Sequence, residues 1–494
     1  MSVLPAASDQ SSVESDQVTR VERQQMRRSG LPVPTRPDDP IGKRILTSGW
    51  TWAYVALLLA YVGCVIGTYQ MMVPEKVLPN GVVPGMSEGG LKAANRLALI
   101  TAIPLAIVLM LADRFRTQGF LKRLWVWLFT FGWGAFVATF VSAHLNTWVS
   151  QFLSIVGDGD PSTSVRAAIF VAPFVEEAAK GTILFWIAIL IRYRWVSRLG
   201  GLVLAGLSGA GFAYVENIIY YARVHDYVVN TAGTGTDPMA AMFELFIVRG
   251  GFSFFAHPVF TMMIGLGLVI ALRACSKIVR VVAPLAGYLG AALLHMAWNG
   301  FASTVQQPRP LYIFLALPIV FVLTFFIIRQ YGREKRLLRA RLSDYTLMGW
   351  LSESDRDVIS QALKRFWARW WAFFEGPVVW WKMITMIRLG TELGYLRDAM
   401  TRGLVDEAGL MRERQIFAEM EQLRLDGIHL EPLSKVVYPW TRIAEWNRDR
   451  KQGKALPGYA PPSYAPPGSA VGAGIGGGAA PYSQVDPTWA PPGR

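Results

Sequence analysis

Four short groups of polar residues lie inside otherwise apolar stretches of the sequence. The residues are Glu176, Glu177 and Lys180 in the first group, Glu216 and Asn217 in the second, His257 and Thr261 in the third, and His295 and Asn299 in the fourth. Members four residues apart, such as Glu176 and Lys180, face the same side of a helix. Because an ionised side chain at the centre of a bilayer costs about 2.5–3.5 kcal/mol, each group predicts a functional site.

These residue types suit hydrolysis assisted by a metal ion. Imidazole and carboxylate groups bind zinc and similar ions, and a catalytic zinc site has three protein ligands and an open position. We expect Glu216, His257 and His295 to bind a divalent metal, with zinc as the first candidate. Glu176 and Glu177 are then the candidate bases that take a proton from water. Supporting roles fall to Lys180, Asn217, Thr261 and Asn299. Glutamate and histidine could also activate water without a metal.

The elements that position these residues are predicted to be membrane-spanning helices. Of the 494 residues, 52% are hydrophobic and 17% are charged, whereas soluble domains contain about 25% charged residues. The apolar residues form runs long enough to cross roughly 30 Å of hydrocarbon as helices. We therefore predict an all-α polytopic membrane protein with eight spans, at residues 50–73, 97–112, 124–143, 165–191, 199–222, 250–272, 281–303 and 311–328.

Basic residues predict the direction of these spans. Arg114 and Arg116 lie in one connection and Arg192 and Arg194 in the next but one, whereas residues 157–160 between them carry no positive charge. The same alternation continues along the chain, and the positive-inside rule then places both termini in the cytoplasm. We attribute the net charge of +14 to this membrane topology and expect no nucleic-acid partner.

With this topology, the four polar groups lie at one depth, between the bilayer midplane and its outer surface. Glu176 lies about ten residues from the outer end of its span, or roughly 15 Å at 1.5 Å per residue. His257 follows Arg249 by a similar distance. Four helices that are polar at the same level predict a single cavity in the outer half of the membrane.

In this order, the four groups resemble the motifs of a known family. EExxK (Glu176 to Lys180), FxxxEN (Phe212 to Asn217), an AHP-type motif that ends at Thr261, and HxxxN (His295 to Asn299) resemble those of the PrsW family of bacterial intramembrane metalloproteases. The resemblance covers residues 165–305. It extends to the related CAAX prenyl endopeptidases and bacteriocin-immunity proteins, which have histidine where this chain has Glu216.

The resemblance implies regulated proteolysis of a membrane-protein substrate in a bacterial plasma membrane. In the family's best-known role the substrate is an anti-sigma factor. The domains expected are a polar, basic, disordered cytoplasmic segment (1–45), a transmembrane protease domain (46–330), a cytoplasmic helical region (331–455) and a Pro- and Gly-rich disordered tail (456–494). We expect residues 364–382 of the helical region to lie on the bilayer surface; the alternative is that their aromatic side chains form the core of a small helical domain. The region as a whole is expected to bind a cytoplasmic protein.

Two other classes of function compete with this interpretation. In a proton- or ion-coupled transporter, intramembrane glutamates and histidines form a relay, which predicts internal symmetry; the sequence contains no repeat. In a catalytically silent scaffold, substitution of the glutamates would leave function intact. The four motifs favour the protease over both.

Overall fold

The structure is a computed structural model that describes residues 49–430 apart from short gaps, together with a few residues between 40 and 48. The gaps are residues 79–80, 84, 115–119, 157–161, 191–197, 232–234, 305–308, 403–404 and 406. The predicted tail 456–494, and nearly all of the predicted N-terminal segment 1–45, lie outside the described residues. So does the end of the predicted helical region, from residue 431 on.

The described residues are almost entirely helical. The α-helices of the first part are α1 (Gly49–Met72), α2 (Glu88–Arg114), α3 (Phe120–Gly132), α4 (Thr139–Val156), α5 (Ser162–Phe170), α6 (Ala172–Leu190), α7 (Arg198–Asn230), α8 (Pro238–Phe246), α9 (Ala256–Leu272) and α10 (Lys277–Thr304). They are followed by α11 (Arg309–Leu347), α12 (Glu353–Ser360), α13 (Ala362–Phe374), α14 (Pro377–Thr401) and α15 (Glu407–Leu425). Two π-helical turns, Trp133–Ala138 and Ile247–Phe252, lie before α4 and after α8.

Six helical stretches of the described residues are long and apolar enough to cross a membrane. They are Thr51–Met72, Glu88–Ala112, Leu124–Val149, Leu199–Asn230, Pro238–Leu272 and Lys277–Ser303. The helical class and the multi-pass membrane character are thereby confirmed. The count of eight spans and the position of the termini stay predictions.

The two remaining predicted spans have different structures. Within the predicted span 165–191, the described residues form two helices, α5 and α6, which are separated at Val171. Pro173 is the second residue of α6, and because proline has no N–H it cannot continue the hydrogen bonding of α5. Residues 311–328 form the first half of α11, a helix that continues to Leu347.

A short hairpin joins α1 to α2, an element that the sequence analysis does not predict. Strand β1 (Lys76–Leu78) pairs antiparallel with β2 (Gly81–Val83), with Val77 opposite Val82. Ser87 immediately precedes the following helix, α2, and its Oγ accepts a hydrogen bond from the Gly90 amide at 3.0 Å. Asp226 of α7 accepts hydrogen bonds from both the amide and the hydroxyl of Ser87, at 2.8 and 2.5 Å. This cap ties the start of α2 to the last turns of α7.

Helix α7 is the central helix of the membrane part, and it packs against α2, α3, α8 and α9. Its first half contains five glycines, at positions 200, 201, 206, 209 and 211. A Cβ atom at Gly209 would lie only 2.5 Å from the His257 carbonyl oxygen of α9. Small residues allow membrane helices to approach this closely, and here the approach brings the helix of Glu216 next to the helix of His257.

The described residues fall into two compact units, and the boundary at residues 330 and 331 lies inside α11. The second unit has its own hydrophobic core, built from Leu342 and Tyr345 of α11, Ile359 of α12, and residues of α14 and α15 such as Leu393 and Met420. Tyr345 donates a hydrogen bond to Glu413 in this core. On its surface, α13 and the start of α14 expose apolar side chains, namely Leu363, Phe366, Trp370, Phe373, Phe374, Val378 and Trp381.

Candidate active site

Four helices contribute the predicted site residues, and the structure brings them together. Helix α6 carries Glu176, Glu177 and Lys180; α7 carries Glu216 and Asn217; α9 carries His257 and Thr261; and α10 carries His295 and Asn299. The carboxylates and imidazoles of these helices contact one another directly, although up to 119 residues of sequence separate them.

Glu177 is fully buried and all its contacts are within the helix bundle. Its Oε1 lies 2.6 Å from Lys180 Nζ and 3.0 Å from His295 Nδ1. Its Oε2 accepts a hydrogen bond from the Thr261 hydroxyl at 2.9 Å. A carboxylate on Nδ1 fixes the orientation of an imidazole ring and leaves Nε2 for another partner. Glu177 therefore orients His295.

Glu176, the next residue, lies at the wall of a cavity. Its Oε1 accepts a hydrogen bond from the Asn146 side-chain amide of α4 at 3.2 Å. Its Oε2 is buried and has no hydrogen-bond partner among the described residues. This oxygen lies 3.8 Å from both His295 Nε2 and Lys180 Nζ. Since a buried carboxylate oxygen without a partner is costly, this position suits a cation or a polarised water.

Glu216 lies on the other side of the same cavity and has two strong partners. Its Oε2 is 2.6 Å from Arg249 Nη2 and 2.8 Å from His257 Nε2. Arg249 Nε donates to the Asn217 side-chain oxygen at 2.8 Å, and the guanidinium stacks 4.0 Å from the centre of the Tyr220 ring. Asn217 thus holds Arg249, and Arg249 compensates the charge of Glu216.

Lys180 is completely buried, and it connects the two glutamates of its own helix with His257 of α9. Besides its contacts with Glu176 and Glu177, its Nζ lies 3.1 Å from His257 Nδ1. The ammonium also lies 4.2 Å from the centre of the Phe212 ring, which is a favourable cation–π contact. His257 is consequently held at both ring nitrogens, by Lys180 on one side and Glu216 on the other.

The two π-helical turns determine which side chains face the site. A π turn inserts one residue into an α-helix and rotates the residues on either side by about 100° relative to each other. Arg249 lies inside the turn Ile247–Phe252, eight residues before His257. The turn Trp133–Ala138 directly precedes α4, which carries Asn146.

The cavity has a volume of about 400 Å³, and its wall includes Glu176, Glu216, His257, Asn217 and Arg249. Glu177, Lys180 and Thr261 lie behind this wall with no exposed surface. Phe260 stacks on His295 with 4.9 Å between ring centres. Aromatic rings therefore shield the inner polar groups from water, which strengthens their electrostatic interactions.

Asn299, for which the sequence predicts a supporting role, bonds to the backbone of a neighbouring helix. Its side-chain amide donates to the Ala168 carbonyl of α5 at 3.1 Å, although the residue lines the cavity. Conversely, the sequence analysis misses Asn146 and Ser142, which also line the cavity. Their spacing of four residues was a usable signal, but the predicted third span ends at residue 143, whereas α4 continues to Val156.

Three of the site residues offer the donor set of a divalent metal ion, and His257 joins this set once one of its ring nitrogens gives up its bond to Lys180 or to Glu216. One donor atom each from Glu176, His257 and His295 all lie within 4.8 Å of one another, and one carboxylate with two imidazoles is a donor set typical of zinc. The unpartnered Glu176 oxygen belongs to this set. With neutral imidazoles, the three glutamates outnumber the lysine and the arginine by one negative charge, which a cation would offset.

A multi-pass helical membrane protein with glutamates and histidines around a buried cavity has the architecture of a membrane-embedded hydrolase. The family model of the PrsW family intramembrane metalloproteases matches residues 122–327, which are 206 of the 494 residues of the chain. The match confirms the resemblance of the four motifs and identifies the protein as a peptidase. The metalloprotease character of the family also supports a divalent metal. Comparison with the curated proteins and with the solved structures gave no significant match.

Proposed function

We propose that this protein cleaves a peptide bond of a membrane-protein substrate at the cavity between α4, α6, α7 and α9, in the outer half of the bilayer. The observation that carries the proposal is the Glu176 oxygen, which is buried at the cavity, lacks a hydrogen-bond partner and lies within reach of two histidines. By the family resemblance, an anti-sigma factor is one candidate substrate, and a bacterial plasma membrane is the expected location.

The distances favour an exchange of roles between two of the predicted glutamates. We propose that Glu176, rather than Glu216, joins His257 and His295 as the third metal donor, because these three share one group of close donor atoms. Glu216 is then the carboxylate left at the cavity wall. A zinc ion held by the three donors would supply Lewis-acid polarisation of the scissile carbonyl and of water.

Proton transfer, charge stabilisation and orientation of the ligands would fall to side chains of the protein. Glu216 takes a proton from the attacking water and returns it to the leaving amine, so that hydrolysis consumes no net proton. Arg249 lines the cavity with 24% of its side chain exposed, and its guanidinium stabilises negative charge on the carbonyl oxygen of the tetrahedral intermediate. Glu177 keeps His295 in one orientation, and Lys180 limits the repulsion between Glu176 and Glu177.

The proposal is tested by comparing membrane proteins from cells that produce different variants. A strain without the chromosomal gene receives the wild type, Glu216→Gln or, as a matched control, Glu88→Gln, whose side chain is 78% exposed. Equal membrane levels are verified first. A truncated single-span protein that is present with the wild type and the control, and missing with Glu216→Gln, would support the protease and name its substrate.

Identical profiles for all three proteins, over several stress conditions, would contradict the proposal. They would favour the transporter or the scaffold, neither of which cleaves a substrate.

A further inference from the structure

Beside the proposed reaction centre, the cavity contains a second set of polar groups, on α4. Ser142 and Asn146 both line it, and they lie one helical turn apart on one face of α4. Ser142 Oγ and Asn146 Oδ1 are buried and have no hydrogen-bond partner among the described residues. Neither residue belongs to the four motifs, and the reaction proposed above uses neither of these two oxygens.

Buried polar atoms without partners are costly inside a membrane, so they indicate what the cavity receives. An unpaired buried polar group destabilises the folded protein, and here two of them lie on the same face of α4 and line the same cavity. Asn146 already uses its amide nitrogen to hold Glu176 at 3.2 Å. Its carbonyl oxygen therefore remains to accept a hydrogen bond next to the reaction centre.

An intramembrane protease has a specific need for such groups. A substrate helix must unwind before a peptide bond can enter the site, and its freed N–H and C=O groups then find no water in the hydrocarbon. The protein has to offer hydrogen-bond partners instead. An asparagine carbonyl accepts from a backbone N–H, and a serine hydroxyl either donates to a backbone carbonyl or accepts from an N–H.

The spacing of the two residues matches an extended chain. Residues four apart on a helix are separated by about 6 Å along its axis. Backbone groups on the same edge of an extended strand repeat every second residue, or roughly 6.6 Å. Ser142 and Asn146 can therefore bind two successive groups on one edge of a strand that runs along α4.

We propose that Ser142 and Asn146 form a subsite for the backbone of an unwound, extended substrate segment, and that they hold its scissile bond beside Glu176. This inference rests on the proposed proteolytic function, and it adds the means by which the protein stabilises a substrate that is no longer helical. The subsite recognises backbone rather than side chains, and it therefore favours substrates whose helix is easily broken.

The test measures binding instead of cleavage. The full chain with Glu216→Gln, which leaves the peptide uncleaved, is placed in lipid nanodiscs. Two synthetic 25-residue Leu/Ala spanning peptides serve as probes, one with a central Gly-Pro that breaks its helix and one with Ala-Ala at the same place. Binding is followed by fluorescence energy transfer from a labelled peptide.

We expect the Gly-Pro peptide to bind at least tenfold more tightly than the Ala-Ala peptide. Ser142→Ala and Asn146→Ala should each weaken binding of the Gly-Pro peptide about fivefold, the effect of one hydrogen bond, and the double variant should abolish the preference. Affinity for the Ala-Ala peptide should not change. Thr182→Ala is the matched control, because Thr182 on α6 is only partly buried and its hydroxyl donates to the Ala178 carbonyl of the same helix.

Ser142→Ala separates the subsite from an indirect effect through Glu176, because the Ser142 hydroxyl, unlike the Asn146 amide, makes no hydrogen bond to that carboxylate. Equal binding of the two peptides by the unsubstituted chain, or an unchanged preference in the double variant with an unchanged melting temperature, would overturn the inference. Cleavage in cells is a separate readout. If no substrate is cut but the preference is present and depends on α4, the proposed reaction fails and the subsite stands.

Discussion

Glu176 and Glu177 are neighbours in the sequence, but their side chains have different surroundings. Glu177 is held by Lys180, Thr261 and His295, whereas one oxygen of Glu176 faces the cavity without a partner. The sequence predicts that both carboxylates belong to one site, because two adjacent charges in an apolar helix need a function. It could not predict which one faces the substrate, since that depends on the packing of α9 and α10 around α6.

The roles of Glu176 and Glu216 can be separated by metal analysis. We expect Glu176→Gln to lose both bound metal and turnover, because an amide is a poor donor in place of a carboxylate. Glu216→Gln should retain metal and lose turnover by at least a hundredfold, since the proton acceptor is missing. The measurement is metal content by mass spectrometry, with Glu88→Gln as control. The reverse result, with metal lost only from Glu216→Gln, would restore the roles predicted from sequence.

A second prediction for a single residue concerns Glu413, in the compact unit that follows the membrane helices, and the dependence of that unit's stability on pH. Burial raises the pKa of Glu413 above its ordinary value, although a hydrogen bond from Tyr345 opposes the shift. The folded protein therefore binds this proton more tightly than the unfolded chain. The resulting stability is present below the unfolded pKa and is lost as pH rises through the raised pKa.

Glu413→Gln removes the charge and keeps an acceptor for Tyr345. We expect the variant to be more stable than the wild type at pH 7.5 and equal to it near pH 4. The measurement is the urea concentration at which a protease begins to cut the full-length protein within residues 353–425. A variant that is less stable at pH 7.5 would show that the ionised carboxylate contributes more through its arginine neighbours than it loses by burial.

At the scale of elements, the π-helical turn Ile247–Phe252 is a feature that the sequence could not predict. Its residues, IVRGGF, are equally compatible with an α-helix, so the sequence does not indicate a π turn. In the structure, the turn contains Arg249, which donates a hydrogen bond to Glu216. Removing one residue would convert the turn to α-helix and rotate the adjoining segments by about 100°. Deletion of Gly251 should thus separate Arg249 from Glu216.

We expect the Gly251 deletion to reduce turnover at least a hundredfold while the protein still folds and binds metal through residues outside the turn. Gly251→Ala is the matched control, because a Cβ atom there meets nothing within 4 Å. Turnover of the substrate found in cells and metal content are the two measurements. Full activity of the deletion protein would show that the π turn does not position the arginine.

A second prediction at the scale of helices concerns the close contact between α7 and α9. Gly209→Ala should force the helices apart, because its Cβ would lie 2.5 Å from the His257 carbonyl oxygen. Overpacking of this kind costs about 1–3 kcal/mol, and it moves His257 relative to Glu216. We expect a lower melting temperature and reduced metal content, whereas Gly63→Ala, with open space around it, should change neither.

At the scale of the whole molecule, the helical class, the membrane character and the four site-bearing helices follow from apolar runs and their polar interruptions. Three other features could not be predicted from the sequence: the hairpin between α1 and α2, the break at Val171 and the length of α4. They depend on tertiary contacts and on turn residues whose sequence signals are weak. The residues whose polar side chains meet in one cluster could be predicted by type and spacing, whereas their depth in the membrane stays a prediction. Ser142 and Asn146, which also line the cavity, were not predicted as site residues, because the predicted span 124–143 excluded Asn146.

The predicted topology, with eight spans and both termini in the cytoplasm, can be tested with one natural cysteine. Cys275 is exposed between α9 and α10, in a connection that the charge pattern places in the cytoplasm. In a Cys64→Ser background, a membrane-impermeant thiol reagent should label Cys275 only after the cells are permeabilised. Asn230→Cys, at the far end of α7, should be labelled in intact cells when Cys275 is replaced by serine. The opposite pattern would invert the topology.

The ionised side chains of the site sum to one negative charge, and this charge affects the order in which a metal ion and a substrate carbonyl group can bind. Without an ion, the carbonyl oxygen of an approaching peptide meets a field that repels it. With a divalent ion, the sum becomes one positive charge, and the same oxygen is attracted over the short distances at which a low dielectric leaves charges unscreened. Under the proposed function, binding of the metal would thus change the sign of the net charge at the cavity, and a substrate carbonyl group would be attracted only after the metal is bound.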